Sequence, residues 1–82
     1  MKHAGPSALD ALSDLIAAIR ARNELKEPRP GVFYRKSKAW LHFHEDAAGL
    51  FADIRAGKEW ERLRVSDPEE RAYLLALIDR SL

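Results

Sequence analysis

The chain has 82 residues, with 14 basic and 13 acidic side chains, and its net charge of +1 gives no general attraction for nucleic acid or anionic lipid. A hydrophobic content of 46% and a charged content of 33% are typical of one folded domain spanning residues 1–82. The chain has no cysteine, which excludes disulfide bonds, thiolate catalysis and cysteine-rich zinc sites. No apolar run approaches the roughly 20 residues of a membrane span. Because the first residues also lack the apolar core of a secretory signal, we expect a cytoplasmic protein with no membrane partner.

The first predicted element is a helix that begins near Ser7 and ends before the run EPRPG. Ser7 and Asp10 have the spacing of a capping box. An apolar stripe of helical period follows, formed by Leu9, Leu12, Leu15, Ile16 and Ile19. Residues 1–6, including His3, are predicted to be a disordered N-terminus.

Four short β-rich runs follow the helix, and the segments between them have hairpin length. The runs are Val32–Lys36, Ala39–Glu45, Leu50–Ala56 and Glu59–Val65. The expected turns are Ser37-Lys38, Asp46–Gly49 and Gly57-Lys58. An antiparallel meander is the simplest way to connect these strands.

The last predicted element is a second helix, which begins at Asp67. Asp67 is a strong N-cap residue, Pro68 suits the first helical position, and Glu70 has capping-box spacing. The predicted fold is therefore α+β with the order α-β-β-β-β-α. It has a four-stranded antiparallel meander sheet and two helices packed on one face.

Strand pairing across the three turns predicts which side chains share a face of the sheet. The turns imply the pairs Lys36–Ala39, Glu45–Leu50 and Arg55–Trp60, which are mutually consistent. The face predicted to be the core carries Val32, Tyr34, Leu41, Phe43, Leu50, Ala52, Ile54, Leu63 and Val65.

The opposite face is predicted to be an interaction surface. It would carry Phe33, Arg35, Trp40, His42, His44, Phe51, Asp53, Arg55, Trp60, Arg62 and Arg64. Large aromatic rings and arginines are enriched in protein interfaces, and a large exposed apolar patch usually has a partner. We therefore expect this face to bind a second copy of the chain, as a homodimer, or another protein.

Two other interpretations of this face stay open. Exposed aromatic rings among arginines can also stack the bases of single-stranded nucleic acid, although four nearby acidic residues weaken a phosphate-binding surface. Those acids are Glu45, Asp46, Glu59 and Glu61. Alternatively, one helix covers each face of the sheet, so that the aromatic face is a second side of the core.

The HFHE motif is a candidate metal site, because alternate strand residues point to the same side. With Asp53 opposite His42, the set His42, His44 and Asp53 has the composition of a two-histidine-one-carboxylate site. Arg55 and Arg62 would flank this set and repel a cation, and His42 with Asp53 also makes an ordinary cross-strand pair. No nucleophile or phosphate-binding loop accompanies the motif. We therefore expect no enzyme activity, no cofactor and no bound metal.

The stretch PGVFYRKSKAWLHFHEDAAGLFADIR, followed by WERLRV and an acidic-capped helix, resembles a group of small uncharacterised bacterial proteins. Their shared signature is an FLHFHED-like hairpin followed by an A-D-V/I-R strand. The resemblance covers residues 30 to 78, and Trp40 stands where the group has another aromatic residue. It implies a bacterial stand-alone domain and assigns no activity, ligand or site residue.

Overall fold

The computed structural model describes residues 2–82 as an α+β fold, in which a six-stranded antiparallel sheet is combined with three helices. The strands are β1 (Lys2–His3), β2 (Leu25–Arg29), β3 (Val32–Arg35), β4 (Lys38–Asp46), β5 (Gly49–Ile54) and β6 (Glu61–Arg64). The helices are α1 (Pro6–Ala11), α2 (Ser13–Arg20) and α3 (Pro68–Ser81). The sheet order is β2-β3-β4-β5-β6, and β1 pairs with β4. None of the helices in residues 2–82 is long and apolar enough to cross a membrane.

The N-terminal helical region is shorter than predicted and is divided in two. Leu12 leaves helical geometry (φ −98°, ψ 8°) between α1 and α2, while its side chain is fully buried. The predicted capping box of Ser7 is wrong, because α1 begins after Gly5 with no side-chain cap. The segment after α2 forms β2, an edge strand in which Pro28 is tolerated beside a break in the pairing with β3.

The N-terminal residues differ most from the prediction, which expected disorder in residues 1–6. The strand β1 instead pairs antiparallel with the C-terminal half of β4. The amide of Gly5 also donates a hydrogen bond to Oε2 of Glu45 at 2.7 Å. The part of this prediction that concerns Met1 lies outside the described residues.

Two of the three predicted hairpin registers are confirmed. Strands β4 and β5 pair Glu45 with Leu50, and β5 and β6 pair Asp53 with Arg62, as predicted. The pairing of β5 with β6 ends at Ile54 and Glu61, so the expected Arg55–Trp60 pair lies beyond the paired residues.

The predicted register between β3 and β4 is wrong by two residues beside the turn, where Arg35 pairs with Lys38, and by one residue beyond Trp40, where Phe33 pairs with Leu41. The turn is centred on Lys36 and Ser37, which both have positive φ (54° and 68°), as a two-residue hairpin turn requires. The pairing shifts between Phe33 and Tyr34, which leaves Trp40 without a paired residue in β3, and Phe33 pairs with Leu41. Because a shift of one residue exchanges the two faces of a strand, Phe33 joins the core and Tyr34 leaves it.

One hydrophobic cluster joins a single face of the sheet to α2 and α3. The sheet contributes Phe33, Leu41, Phe43, Ala52 and Ile54, and we call the face that carries these five residues the covered face. The helices contribute Leu15, Ile16, Ile19, Leu74 and Ile78. At one end of this layer the guanidinium of Arg22 donates two hydrogen bonds of 2.9 Å to Asp79, which ties the end of α2 to α3. We call the opposite side of the sheet, which carries His42, His44 and Asp53, the open face.

Candidate metal centre

All three histidines of the chain meet on the open face. His42 and His44 lie on this face because they alternate with Leu41 and Phe43 along β4. The pairing of β1 with β4 places His3 directly beside His44. The ring centroids are 4.7 Å apart for His3–His44, 4.8 Å for His42–His44 and 5.6 Å for His3–His42. One nitrogen from each ring lies within 4.8 Å of the other two, which is a group able to converge on one ion.

The inner part of this cluster is buried, and its nitrogens lack partners. His44 is only 8% exposed. Both ring nitrogens of His44 and Nδ1 of His42 are buried without a hydrogen-bond partner among residues 2–82. A buried polar atom left unpaired costs about 1–3 kcal/mol. A neutral imidazole offers one lone pair and one N–H, so a metal ion that binds one nitrogen of each ring would remove part of that cost.

Asp53 is held by Arg62 and faces His44. Arg62 donates two hydrogen bonds of 2.7 Å to the Asp53 carboxylate, and these bonds lower the pKa of Asp53 despite its burial. Oδ2 of Asp53 also lies 3.1 Å from Nε2 of His44, without the alignment of a hydrogen bond. Both carboxylate oxygens of Asp53 accept hydrogen bonds from Arg62. The group of side chains placed to converge on one ion consists of His3, His42 and His44, so His3 takes the place that Asp53 had in the candidate set drawn from the sequence.

The surroundings of His42 favour its neutral form. Burial lowers the pKa of His42, and the positive charges of neighbouring groups lower it further, against the opposing effect of Asp53. The ring of Trp60 packs on His42 with a centroid distance of 4.9 Å. A neutral imidazole keeps a lone pair, which is the form that binds a metal ion.

The predicted aromatic surface forms only in part. Phe33 (1% exposed) and Trp40 (5% exposed) belong to the core, so their assignment to the interaction surface is wrong. The cause is the shifted register and the irregularity at Trp40. Phe51 is half-buried on the open face, and Trp60 is 43% exposed.

The arginines of the predicted surface are dispersed. Arg35 lies over the ring of Trp40, with 5.9 Å between the guanidinium carbon and the ring centroid. Arg55 is exposed and lines a cavity beside Trp40, away from the histidines. Arg64 donates to Glu70 at 3.0 Å in an exposed pair. Of the two arginines expected to repel a cation, Arg55 lines a cavity that contains none of the histidines, and the charge of Arg62 is paired with Asp53.

His3 is the site residue that sequence reasoning missed. The strand that carries it has only two residues, too few to show any periodicity. One signal was present: the predicted strand Ala39–Glu45 is longer than its partner Val32–Lys36, so its C-terminal end needed another neighbour.

No family model, curated protein or solved structure matches this chain. The geometry of the histidine cluster and its surroundings is therefore the basis on which we assign a function.

Proposed function

We propose that this protein binds a divalent transition-metal ion, with Zn²⁺ as the reference ion, through His3, His42 and His44. The observation that supports the proposal is the convergence of three imidazoles, with nitrogens within 4.8 Å of one another and the inner ones buried and unpaired. Zinc–nitrogen bonds of about 2.0–2.1 Å in a tetrahedral arrangement place ligand nitrogens about 3.3 Å apart. Side-chain rotations that bring the nitrogens closer by about 1.5 Å would complete the site.

Three imidazole ligands suit a metal ion that is intermediate between hard and soft in its ligand preference. Imidazole nitrogens bind zinc, copper, nickel and iron, whereas magnesium and calcium require oxygen ligands. Three protein ligands leave one position open in a tetrahedral site, which is the arrangement of sites that bind or activate a further ligand. Asp53 lies beside His44 outside the ligand set, and a small rotation of the His44 ring would align its Nε2–H with the carboxylate, as in a carboxylate–histidine–metal triad.

The test is a calorimetric titration of zinc chloride into protein freed of metal by a chelator, at about pH 7.5, where free histidine is neutral. We expect one ion per chain. His3→Ala should weaken zinc binding by at least about 100-fold, or about 2.7 kcal/mol. His3 is exposed, so the fold should survive its loss.

Lys2→Ala is the matched control, because Lys2 is the neighbour of His3 in β1 and its side chain reaches Glu45 rather than the histidines. Its zinc affinity should stay within a factor of about two of the wild-type value. A wild-type protein that binds no zinc, or a His3→Ala variant that binds it unchanged, would overturn the proposal.

The binding of a second copy, another protein or single-stranded nucleic acid by the open face stays a prediction. It has less support than metal binding, because Phe33 and Trp40 lie in the core. Only Phe51 and Trp60 of the four expected rings remain accessible to a partner.

A further inference from the structure

A groove on the open face begins at the histidine cluster. It encloses about 330 Å³, and His3 and His42 form part of its wall, whereas the buried His44 does not. This volume lies at the lower end of the range for small-molecule sites. The groove is therefore the approach by which a small ligand reaches the open position of an ion held by the three histidines.

The remaining walls of the groove combine an apolar surface with one cation. Pro30, Val32 and Ala39 supply the apolar surface, and Tyr34 adds a ring with a polar end. Arg29 supplies the charge.

The strand registers place Arg29 in line with the histidines. Arg29 pairs with Val32 across β2 and β3, and Val32 pairs with His42 across β3 and β4, so the three side chains share the open face. Arg62 and Arg20 are neutralised by carboxylates, whereas the exposed Arg29 has no ion-pair partner among residues 2–82. A metal ion bound by neutral histidines and an unpaired arginine together give this groove a positive potential.

We propose that this groove binds a small organic carboxylate whose charged end is held between the metal ion and Arg29. The apolar body of the ligand packs on Pro30, Val32 and Ala39. The inference rests on the proposed metal site, because the ion supplies one of the two positive charges. Guanidinium groups bind carboxylates in a paired, bidentate geometry, which favours a carboxylate over a neutral ligand.

The experiment uses the full chain loaded with Co²⁺, a coloured ion that binds the same nitrogen ligands as zinc. Benzoate is titrated while the visible absorption of cobalt is recorded. We expect a saturable spectral change, with an affinity at least about tenfold higher than for benzamide, which lacks the charge, or acetate, which lacks the apolar body. Arg29→Gln should weaken benzoate binding at least about tenfold and leave cobalt affinity unchanged.

Arg55→Gln is the matched control, since Arg55 is also exposed but lines a different cavity. It should leave both affinities unchanged. If cobalt and zinc do not bind, the proposed function fails and this inference fails with it. If the ions bind but benzoate leaves the spectrum unaltered, or Arg29→Gln binds benzoate normally, the metal site stands and the carboxylate site is overturned.

Discussion

The two faces of the sheet bury side chains for different reasons. On the covered face the buried side chains are apolar, and Phe33, Leu41 and Ile54 are at most 1% exposed beneath the helices. On the open face the buried side chains among residues 2–82 are His44 and Asp53, each 8% exposed. Burial of apolar area stabilises the fold directly, whereas burial of polar atoms is favourable only when partners satisfy them.

The comparison shows where to look for function in a small domain. Asp53 has its partner in Arg62, but the inner nitrogens of His42 and His44 have none among residues 2–82. A core position is explained by its packing, while an unpaired buried nitrogen needs a further explanation. The covered face is therefore explained by its packing, and the unpaired nitrogens are the reason for assigning the proposed metal binding to the open face.

The largest expected effect is the difference in unfolding free energy between losing a ring from the covered face and losing one from the open face. Phe33→Ala removes a fully buried ring from the covered face and should lower the free energy of unfolding by about 3–5 kcal/mol. Phe51→Ala removes the same ring from a half-buried position on the open face and should cost less than half as much. Urea unfolding in the presence of a chelator measures both.

A loss of 3–5 kcal/mol can unfold a small domain, so Phe33→Leu provides a milder variant with a loss of about 1.5 kcal/mol. Equal losses for the two alanine variants would mean that Phe33 lies on the open face after all, as the predicted register implied.

A smaller effect is expected for the charges that surround the histidines. Asp53→Asn keeps the shape of the side chain but removes the negative charge beside His44, and zinc affinity should fall about 10- to 100-fold. Arg62→Gln removes a positive charge from the same pair, so zinc affinity should be unchanged or higher.

Competition with a coloured chelator measures zinc affinity in both variants. A fall in zinc affinity for Asp53→Asn without a fall for Arg62→Gln distinguishes an electrostatic and orienting role of Asp53 from general damage to the open face, because damage would lower the affinity of both variants.

The smallest expected effect is the pH dependence of the stability that Glu27 provides in the edge strand β2. Burial raises the pKa of Glu27, but hydrogen bonds from Arg20 and from the Gly31 amide lower it by more, so the net pKa lies below the ordinary value. The folded state therefore binds this proton less readily than the unfolded chain. The resulting stabilisation is complete above the unfolded value of about 4.3 and is lost as the pH falls through the folded pKa.

Glu27→Gln should accordingly be less stable than the wild type at neutral pH, and this difference should shrink as the pH falls below the unfolded pKa and through the folded pKa of Glu27. Glu24→Gln makes the same charge change at an exposed position and should behave as the wild type. Thermal unfolding across this pH range, with and without zinc, provides the measurement. A constant difference between Glu27→Gln and the wild type at every pH would show that the Glu27 charge is not what stabilises this edge.

The registers show how far local signals determine the sheet. Between β4 and β5 the turn is marked in the sequence: the Asp46 carboxylate accepts from the Ala48 amide at 2.7 Å, and Gly49 supplies a positive φ of 133°. That register was predicted correctly. Between β3 and β4 the turn residues are Lys36 and Ser37, which carry no glycine, asparagine or aspartate signal. That register was predicted wrongly, and the error placed Phe33 on the predicted interaction surface.

The histidine cluster was also predicted only in part, because only some of its members are brought together by local signals. His42 and His44 share a face because strand residues alternate, a rule that depends only on neighbours in the chain. His3 joins them through β1, whose pairing with β4 spans about half the chain and has no local signature. Asp53 was a candidate for the third ligand in a site that was expected to hold no metal, and the structure pairs its carboxylate with Arg62.

The sequence by itself determined the features that involve residues close together in the chain. These features are the α+β class, the capping box of α3 at Asp67 and Glu70, and the common face of His42 and His44. Only the tertiary structure decided that β1 occupies the free edge of β4 and that the inner histidine nitrogens are buried. The physical reason is that caps, tight turns and strand alternation depend on short-range geometry. The partner of a free strand edge, by contrast, depends on which distant segment can reach it and satisfy its backbone groups.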